Sequence, residues 1–271
     1  MTIRVRAPAT TANVGAGFDC AAAALDLWNE LEVGDGSDAP DQDHLAVQAF
    51  ARLAPFDGHS FSFTERIPRE RGLGSSAATI ALGLVAGALV AGRELDPEAL
   101  LELGLPLEGH PDNLAAALAG GVCLTWDGRV ARIADDAPAV PIAVIPTDRV
   151  ETKAARAALP DKVPHEDASY SVARAALLGA ALAGGSAELF AASTDDRLHE
   201  PYRAANAPLL AAVRERLPAG ALGATLSGSG PTVIVWAAAD EADPCAAELA
   251  ERFPEADVLR LAISAKGAGP L

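Results

Sequence analysis

The sequence predicts an α+β fold in two units, because strand-like and helix-like segments alternate irregularly along both halves of the chain. Half of the 271 residues are hydrophobic, which is enough to build one large core or two modest ones. A polar turn over 135–138 that ends at Pro138 predicts a boundary near residue 140. We therefore expect one unit over 1–140 and a second over 141–271.

In the first unit, alternating apolar residues and turn residues predict four strands. They are expected at 3–7, ending at Pro8, and at 31–33, 60–65 and 122–126. The segment 75–91 is apolar on every face, which is typical of a buried helix, and Gly92 is its expected stop. Asp96 should cap a helix that runs to about residue 103. Another helix is expected over 112–118.

The second unit shows the same irregular alternation. Its strands are expected at 142–145, 223–226, 232–236 and 258–263. Its helices are expected at 153–159, 168–183, 208–217 and 244–253. This order favours α+β over a doubly wound parallel sheet.

The charge balance is strongly acidic. The chain has 21 Lys and Arg residues against 37 Asp and Glu residues, which gives a formal charge of −16 at neutral pH. Binding of nucleic acid needs a basic face that neutralises phosphates, so we expect no nucleic-acid partner. An acidic, lysine-poor surface is also favoured in a salt-rich cytoplasm, where salt screens self-repulsion. We therefore hypothesise a halophilic source.

Cysteine usage and hydropathy exclude further classes. Cys20, Cys123 and Cys245 are far apart and odd in number, so neither a disulfide framework nor a zinc cluster is indicated. We expect buried thiols, with a catalytic cysteine as the alternative. No apolar run reaches the roughly 18 residues that span a bilayer, and the first residues carry no signal-peptide core. A cytoplasmic protein without membrane contact is expected.

A glycine-rich loop runs directly into the buried helix at 68–78. Glycines let backbone N–H groups approach a phosphate closely, and the start of a helix adds a favourable dipole. The alternative is an ordinary turn in which Ser75 caps the helix. The loop lacks the lysine of the Walker motif and the third glycine of the dinucleotide fingerprint. A P-loop NTPase is therefore excluded.

Three ordered motifs carry a family resemblance. The segments 7–19 (APATTANVGAGFD), 72–77 (GLGSSA) within the glycine-rich loop, and 226–232 (LSGSGPT) resemble the three motifs of the GHMP kinase superfamily. The segment 108–113 (EGHPDN), with Thr10 in place of a lysine found in some sister kinases, resembles homoserine kinases, as does 199–203 (HEPYR). The resemblance implies an N-terminal domain like domain 2 of ribosomal protein S5 and a ferredoxin-like C-terminal domain.

The resemblance also implies the cofactors and substrates, which are ATP, Mg²⁺ and L-homoserine. Residues of the glycine-rich loop are expected to cradle the triphosphate, and the third motif is expected to support them. The loop residues are Pro68, Arg69, Glu70, Arg71, Gly72, Leu73, Gly74, Ser75, Ser76, Ala77 and Ala78. The third-motif residues are Ser227, Gly228 and Gly230. Ser76 and Glu108 are the expected Mg²⁺ ligands, a set of the usual size for this ion.

The acceptor is a zwitterion with a terminal hydroxyl group. By resemblance, Asp19 pairs with its ammonium group, and Arg156 and Arg203 hold its carboxylate, for which the planar guanidinium is well suited. Thr152, near Arg156 in sequence, is also an expected substrate contact. Asn13 and Asn113 are expected to orient the hydroxyl group, and with Ser76 and Glu108 they form the expected catalytic set.

Asn113 indicates the mechanism. An amide cannot accept the proton of the hydroxyl group as a carboxylate base would, so the proton is expected to leave toward the phosphate, and catalysis to rest on positioning. His110 is the alternative base, although its place before Pro111 also suits a cap or a structural hydrogen bond. One departure from the family pattern is His44 before Leu45, where an Asn-Leu pair is common near the purine.

Two other functions remain open. One is a GHMP kinase for another acceptor, such as mevalonate or a sugar, which Thr10, Asn113 and the two arginines disfavour. The other is a non-catalytic sensor of ATP or amino acid derived from the fold, which an intact Ser76 and Glu108 disfavour. A homodimer is one assembly that the sequence allows.

The acidic composition generates a first prediction. Stability and activity should rise between low and molar salt, because added ions screen repulsion between acidic groups. Thermal unfolding and initial rates measured across that range check this. Full stability and activity at low salt would contradict the halophilic hypothesis.

Overall fold

The computed structural model describes residues 2–36 and 40–271. The strands are β1 Ile3–Ala12, β2 Ala21–Asp35, β3 His59–Thr64, β4 Val122–Trp126, β5 Arg129–Ala134, β6 Val140–Ile145, β7 Ala221–Leu226, β8 Val233–Ala237, β9 Asp257–Arg260 and β10 Gly269–Pro270. The helices are α1 Leu45–Phe50, α2 Ser75–Val90, α3 Pro97–Glu108, α4 Pro111–Ala119, α5 Thr152–Ala157, α6 His165–Gly184, α7 Ala187–Ser193, α8 Glu200–Arg203, α9 Pro208–Glu215 and α10 Ala242–Arg252. The α+β expectation is confirmed.

The strands form two antiparallel sheets. The first has the order β10-β1-β2-β4-β5, with β3 also paired to β2, and the second has the order β7-β8-β6-β9. The C-terminal strand β10 returns to the first sheet, where Pro270 pairs with Val5. The expected division at residue 140 falls at the first residue of β6 and stays a prediction.

Helix α2 lies at the centre of the first unit. Its apolar residues are buried around the whole circumference, as the sequence predicts for a helix that is hydrophobic on every face. Gly83 brings α2 close to α1, because a Cβ atom at this position would lie 2.1 Å from the carbonyl oxygen of Ala46. The middle of α2 therefore packs directly against α1.

The second sheet is covered on both faces. Ala143 and Ile145 of β6 belong to the core that also holds α2, whereas Ile142 and Val144 belong to a second core against α9 and α10. Burial on both faces explains the continuous apolar run in this strand. The first core is therefore shared by both sheets.

Several expected boundaries were wrong. The first strand does not end at Pro8 but continues to Ala12, with a register shift between Pro8 and Ala9; such a bulge tolerates a residue without an N–H group. Strand β2 begins at Ala21, ten residues before the expected start. Helix α3 continues past residue 103 to Glu108, and β9 ends at Arg260 rather than at residue 263.

Gly83 and Gly179 form a matched pair for a stability test. Gly83→Ala should lower the free energy of unfolding by about 1–3 kcal/mol, because the added methyl group overlaps α1. Gly179→Ala lies in α6 with open space around the added carbon, so it should raise the same quantity by about 0.5–1 kcal/mol. Urea unfolding measures both. Equal effects of the two substitutions would contradict the close approach of α1 and α2.

Candidate active site

A cavity of about 690 Å³ opens where the three sequence motifs meet. Most of the predicted site residues line it: Asn13, Asp19, Glu70, Gly72, Gly74, Ser75, Ser76, Glu108, Asn113, Thr152, Arg156, Arg203, Gly228 and Gly230. Seven predicted residues lie outside its lining: Pro68, Arg69, Arg71, Leu73, Ala77, Ala78 and Ser227. The structure thus brings the two units together around one cavity.

The residues outside the lining have other contacts. Leu73, Ala77 and Ala78 are fully buried in the core, because they lie on the inward face at the start of α2. Arg69 pairs with Glu65, and Arg71 donates to the carbonyl oxygen of Pro146. The side chains of these residues shape the glycine-rich loop from behind.

The glycine-rich loop ends at Gly74, which adopts φ 65° and precedes the first turn of α2. The capping residue Gly74 has no side chain to offer this helix start, so backbone N–H groups there remain for an anion. A Cβ atom at Gly74 would lie 1.8 Å from the Thr10 hydroxyl oxygen. Glycine is therefore required by both the backbone conformation and the space.

The third motif contacts the back of this loop. The Ser227 hydroxyl group donates to the carbonyl oxygen of Gly72 at 2.6 Å, and Gly228 N donates to the carbonyl oxygen of Ala12 at 2.9 Å. A Cβ atom at Gly72 would lie 2.3 Å from the Ser227 carbonyl oxygen. One turn thus joins the first and second motifs.

Ser76 and Glu108 meet at the mouth of the cavity. The Ser76 hydroxyl group, in the first turn of α2, donates to Glu108 Oε2 at 2.7 Å. Burial raises the pKa of Glu108 to about 7, although the hydrogen bond from Ser76 opposes this. In the described part of the chain, no cluster of three or more His, Cys, Asp or Glu side chains could hold a metal ion. Two protein oxygens are nevertheless a common set for Mg²⁺, which keeps water and phosphate oxygens as its other ligands.

An ion pair crosses the other end of the cavity. Arg156 Nη1 and Nη2 donate to the two carboxylate oxygens of Asp19 at 2.9 and 2.6 Å. Asp19 has φ 54°, and its N–H group donates to Asn13 Oδ1 at 2.9 Å. Arg203 also lines this end. The Asp19 carboxylate and two guanidinium groups therefore lie together there, and Asp112 is close enough to interact with all three charges.

The two asparagines are fixed by different partners. Asn113 Oδ1 accepts from the Thr10 hydroxyl group at 2.7 Å, so its amide nitrogen remains as a donor. Asn13 Nδ2 donates to the carbonyl oxygen of Gly228 at 2.9 Å. The residue type at position 10 thus sets the orientation of the Asn113 amide.

Three further charged residues of the lining, Asp112, Glu151 and Lys153, were not predicted from the sequence. Asp112 is 3% exposed, and burial raises its pKa. Lys153 is exposed at the start of α5 and is one of only three lysines in the chain. In the sequence Asp112 is the neighbour of Asn113 and Lys153 is the neighbour of Thr152, and this adjacency could have indicated them as site residues.

His44, the departure from the family pattern, lies outside the cavity lining. Its Nδ1 accepts from Ala46 N at 3.3 Å and caps α1, and its ring packs against Phe63 with 4.2 Å between centroids. Asparagine is a preferred residue at such a cap. The histidine thus keeps the capping contact.

Comparison with known proteins agrees with this architecture. Residues 44–121 match the family described as GHMP kinases N terminal domain, and residues 174–255 match GHMP kinases C terminal. A mevalonate kinase structure from Methanococcus jannaschii has a TM-score of 0.73 at 14% identity, over 97% of this chain and 98% of that one, and shares the fold. The fold and the site define a small-molecule kinase.

Nearer relatives are more specific. A homoserine kinase of Streptomyces avermitilis is 40% identical, over 99% of this chain and 95% of that protein. One of Moorella thermoacetica is 40% identical over 86% of each chain. The structure of a homoserine kinase from Cytophaga hutchinsonii has a TM-score of 0.88 at 25% identity, covering 100% and 97% of the two chains. The chain belongs to the homoserine kinase family of the GHMP kinases, and kinases of this family use ATP.

The docking of the third motif on the glycine-rich loop can be tested at Gly72. Gly72→Ala should weaken ATP binding about tenfold or more, because the added carbon displaces the loop from Ser227. Gly128→Ala is the control, since Gly128 has a similar φ of 76° but open space around the added carbon. Calorimetric titration with ATP measures both variants. Equal affinities would contradict the importance of this contact.

Proposed function

We propose that this chain transfers the γ-phosphoryl group of ATP to the hydroxyl group of L-homoserine, which forms O-phospho-L-homoserine on the route to threonine. The observation that carries the proposal is the Asp19–Arg156 ion pair beside Arg203. An α-amino acid presents an ammonium group and a carboxylate on neighbouring atoms. The charges at this end of the cavity are complementary to that arrangement.

The ion pair also supports selection of zwitterions. A ligand with both charges exchanges one ion pair for two, with Asp19 on the ammonium group and Arg156 and Arg203 on the carboxylate. A ligand with one charge leaves Asp19 or Arg156 without its partner, and an unpaired charge in a half-buried site is costly. Mevalonate and sugars lack this combination of charges. Thr152, at the start of α5 with Arg156, is the remaining proposed substrate contact.

ATP is proposed to bind along the glycine-rich loop. Its phosphates would accept hydrogen bonds from the N–H groups at the start of α2, where the helix dipole favours negative charge. Ser76 and Glu108 would hold Mg²⁺, which neutralises charge on the phosphates when bound. Ser227, Gly228 and Gly230 would keep the loop in place.

Positioning without a carboxylate base is the proposed mechanism. Asn113 would donate from its amide nitrogen to the hydroxyl oxygen of homoserine and hold it in line with the phosphorus atom. Asn13 would assist with its second amide hydrogen while it orients Asp19. The hydroxyl proton would then pass to the phosphate. Since no side chain in this arrangement needs to remove the proton, the reaction rests on geometry and charge.

The proposal also assigns a part in the reaction to each of the two expected units of the chain. Residues 1–140 would form the ATP-binding unit and residues 141–271 the C-terminal unit that supplies Arg156, Arg203 and the third motif. Within the described residues, no helix is both long enough and apolar enough to cross a bilayer. We propose a cytoplasmic location, and we propose the homodimer as the assembly to test by light scattering.

Incubation with ATP, Mg²⁺ and a panel of acceptors tests the function directly. Phosphorus NMR should detect O-phospho-L-homoserine, with little turnover of mevalonate or galactose. A Glu108→Gln variant should lose at least 100-fold in rate, because it removes the proposed charged ligand of Mg²⁺. If another acceptor is turned over faster than L-homoserine, that acceptor would be the substrate instead. If calorimetry shows binding of ATP or amino acid without any product, the non-catalytic sensor would be supported.

Asn113 and His110 test the mechanism. Asn113→Asp should lower kcat about tenfold or more, because a carboxylate cannot donate to the hydroxyl oxygen and repels the phosphate. His110→Ala should keep the neutral-pH limb of the rate profile. A marked gain in rate for Asn113→Asp, or loss of that limb in His110→Ala, would show that a base takes part.

A further inference from the structure

His199 and Arg203 lie one helical turn apart at α8, and Arg203 belongs to the wall of the cavity. Both are buried, with 0% and 1% of their surfaces exposed, and Arg203 nevertheless lines the cavity. The backbone N–H group of Arg203 donates to the carbonyl oxygen of His199 at 3.1 Å. The contact between the two side chains therefore joins the cavity wall to the interior behind it.

The side-chain contact defines the tautomer of His199. Arg203 Nη1 lies 3.1 Å from His199 Nδ1 and donates to the carbonyl oxygen of Gly228 at 3.0 Å. A guanidinium group has donors only, so Nδ1 must be the unprotonated acceptor and the proton must lie on Nε2. Burial, together with the charge of Arg203, lowers the pKa of His199 to about 4. The imidazole is therefore neutral at physiological pH.

Two neighbours lie against the imidazole, and neither of them accepts a hydrogen bond from Nε2. Asp196 Oδ2 accepts from the backbone N–H groups of Leu198, His199 and Glu200 at 2.9, 2.7 and 3.1 Å, and it lies 3.7 Å from His199 Nε2. Phe18 stacks on the imidazole, with 5.0 Å between centroids and 20° between planes. The acceptor atom thus has a fixed position and orientation.

Both contacts of the Arg203 guanidinium group described above are made by Nη1. The opposite edge, formed by Nε and Nη2, takes no part in them. Nε is buried, and no hydrogen-bond partner for it exists among the described residues. A buried donor without a partner is unfavourable, and the Nε–Nη2 edge matches the two oxygens of a carboxylate. This edge is the part of Arg203 that remains for a ligand.

We propose that His199 is a positioning residue, which anchors Nη1 of Arg203 so that the Nε–Nη2 edge binds the carboxylate of the amino-acid acceptor side-on. This inference rests on the proposed function for the identity of the acceptor. His199 touches neither substrate nor nucleotide, and its effect passes through Arg203 alone. The hydrogen-bond acceptor Nδ1 is the atom that holds Arg203, and the stacking of the ring on Phe18 keeps this atom in position.

Two substitutions distinguish the effect of the hydrogen-bond acceptor Nδ1 from the effect of the stacked ring. His199→Phe keeps a ring against Phe18 but removes the acceptor, whereas His199→Asn places an amide oxygen near the position of Nδ1. His199→Phe should raise the KM for L-homoserine about tenfold, since each factor of ten is about 1.4 kcal/mol of binding. Its kcat and its KM for ATP should stay within about twofold of wild type. His199→Asn should recover most of the lost affinity.

A ligand without the carboxylate distinguishes a specific loss of carboxylate binding from a general disturbance of the site. The compound 3-aminopropan-1-ol is homoserine without its carboxylate, and its inhibition constant should be the same in wild type and His199→Phe. An equal loss of homoserine affinity in both variants, a parallel loss for 3-aminopropan-1-ol, or a matching loss in kcat would overturn the proposal.

The tautomer is a test that needs no variant. Nitrogen NMR of the ¹⁵N-labelled wild-type protein should show the Nε2–H tautomer of His199 between pH 6 and 8, and a proton on Nδ1 would overturn the proposal. This result does not depend on which molecule accepts the phosphoryl group. If the wild type makes no phosphohomoserine while the tautomer is as expected, the proposed function fails and the anchoring of Arg203 stands.

Discussion

The turn at Ser227 and Gly228 is the constraint on which the rest of the site depends. Ser227 donates to Gly72 in the glycine-rich loop, and Gly228 donates to Ala12 at the end of β1. The carbonyl oxygen of Gly228 accepts from Asn13 and from Arg203. One turn of the second unit therefore fixes the glycine-rich loop, the first motif and an arginine at once, and none of these contacts needs a side chain larger than serine at the turn.

The charges at the acceptor end follow from this arrangement. Asp19 is oriented by Asn13 and paired with Arg156, while Arg203 is held from behind by His199 and Gly228. The two arginines thus differ. Arg156 is neutralised by a partner at the cavity surface, which we propose it exchanges for a ligand, whereas Arg203 is buried and fixed, so we propose that it defines where the carboxylate of the acceptor lies.

The sequence predicted those features that depend on local pattern. Helix α2 was recognisable because residues 75–91 are apolar on every face, and the glycine-rich loop was recognisable because its glycines directly precede that helix. The start of β2 at Ala21 was missed because alanine has little preference for strands, and only pairing with β1 and β4 places it in the sheet. The continuation of β1 through Pro8 depends on a bulge, which no residue in the segment indicates.

The contacts across the cavity were beyond the sequence for a different reason. The stack of Phe18 on His199 and the ion pair of Asp19 with Arg156 join segments far apart in the chain, and no local rule links their residue types. The family resemblance supplied roles for Asp19, Arg156 and Arg203 one at a time. The tertiary structure adds the pairing of Asp19 with Arg156 beside Arg203, on which the proposal of a zwitterionic acceptor rests.

The most direct measurement is a crystal structure of the protein with L-homoserine and a non-hydrolysable ATP analogue. The account predicts that the hydrogen bonds between Arg156 and Asp19 are broken, with the ammonium group on Asp19 and the carboxylate between Arg156 and the Nε–Nη2 edge of Arg203. An intact Asp19–Arg156 pair, with the amino acid bound elsewhere in the cavity, would contradict it.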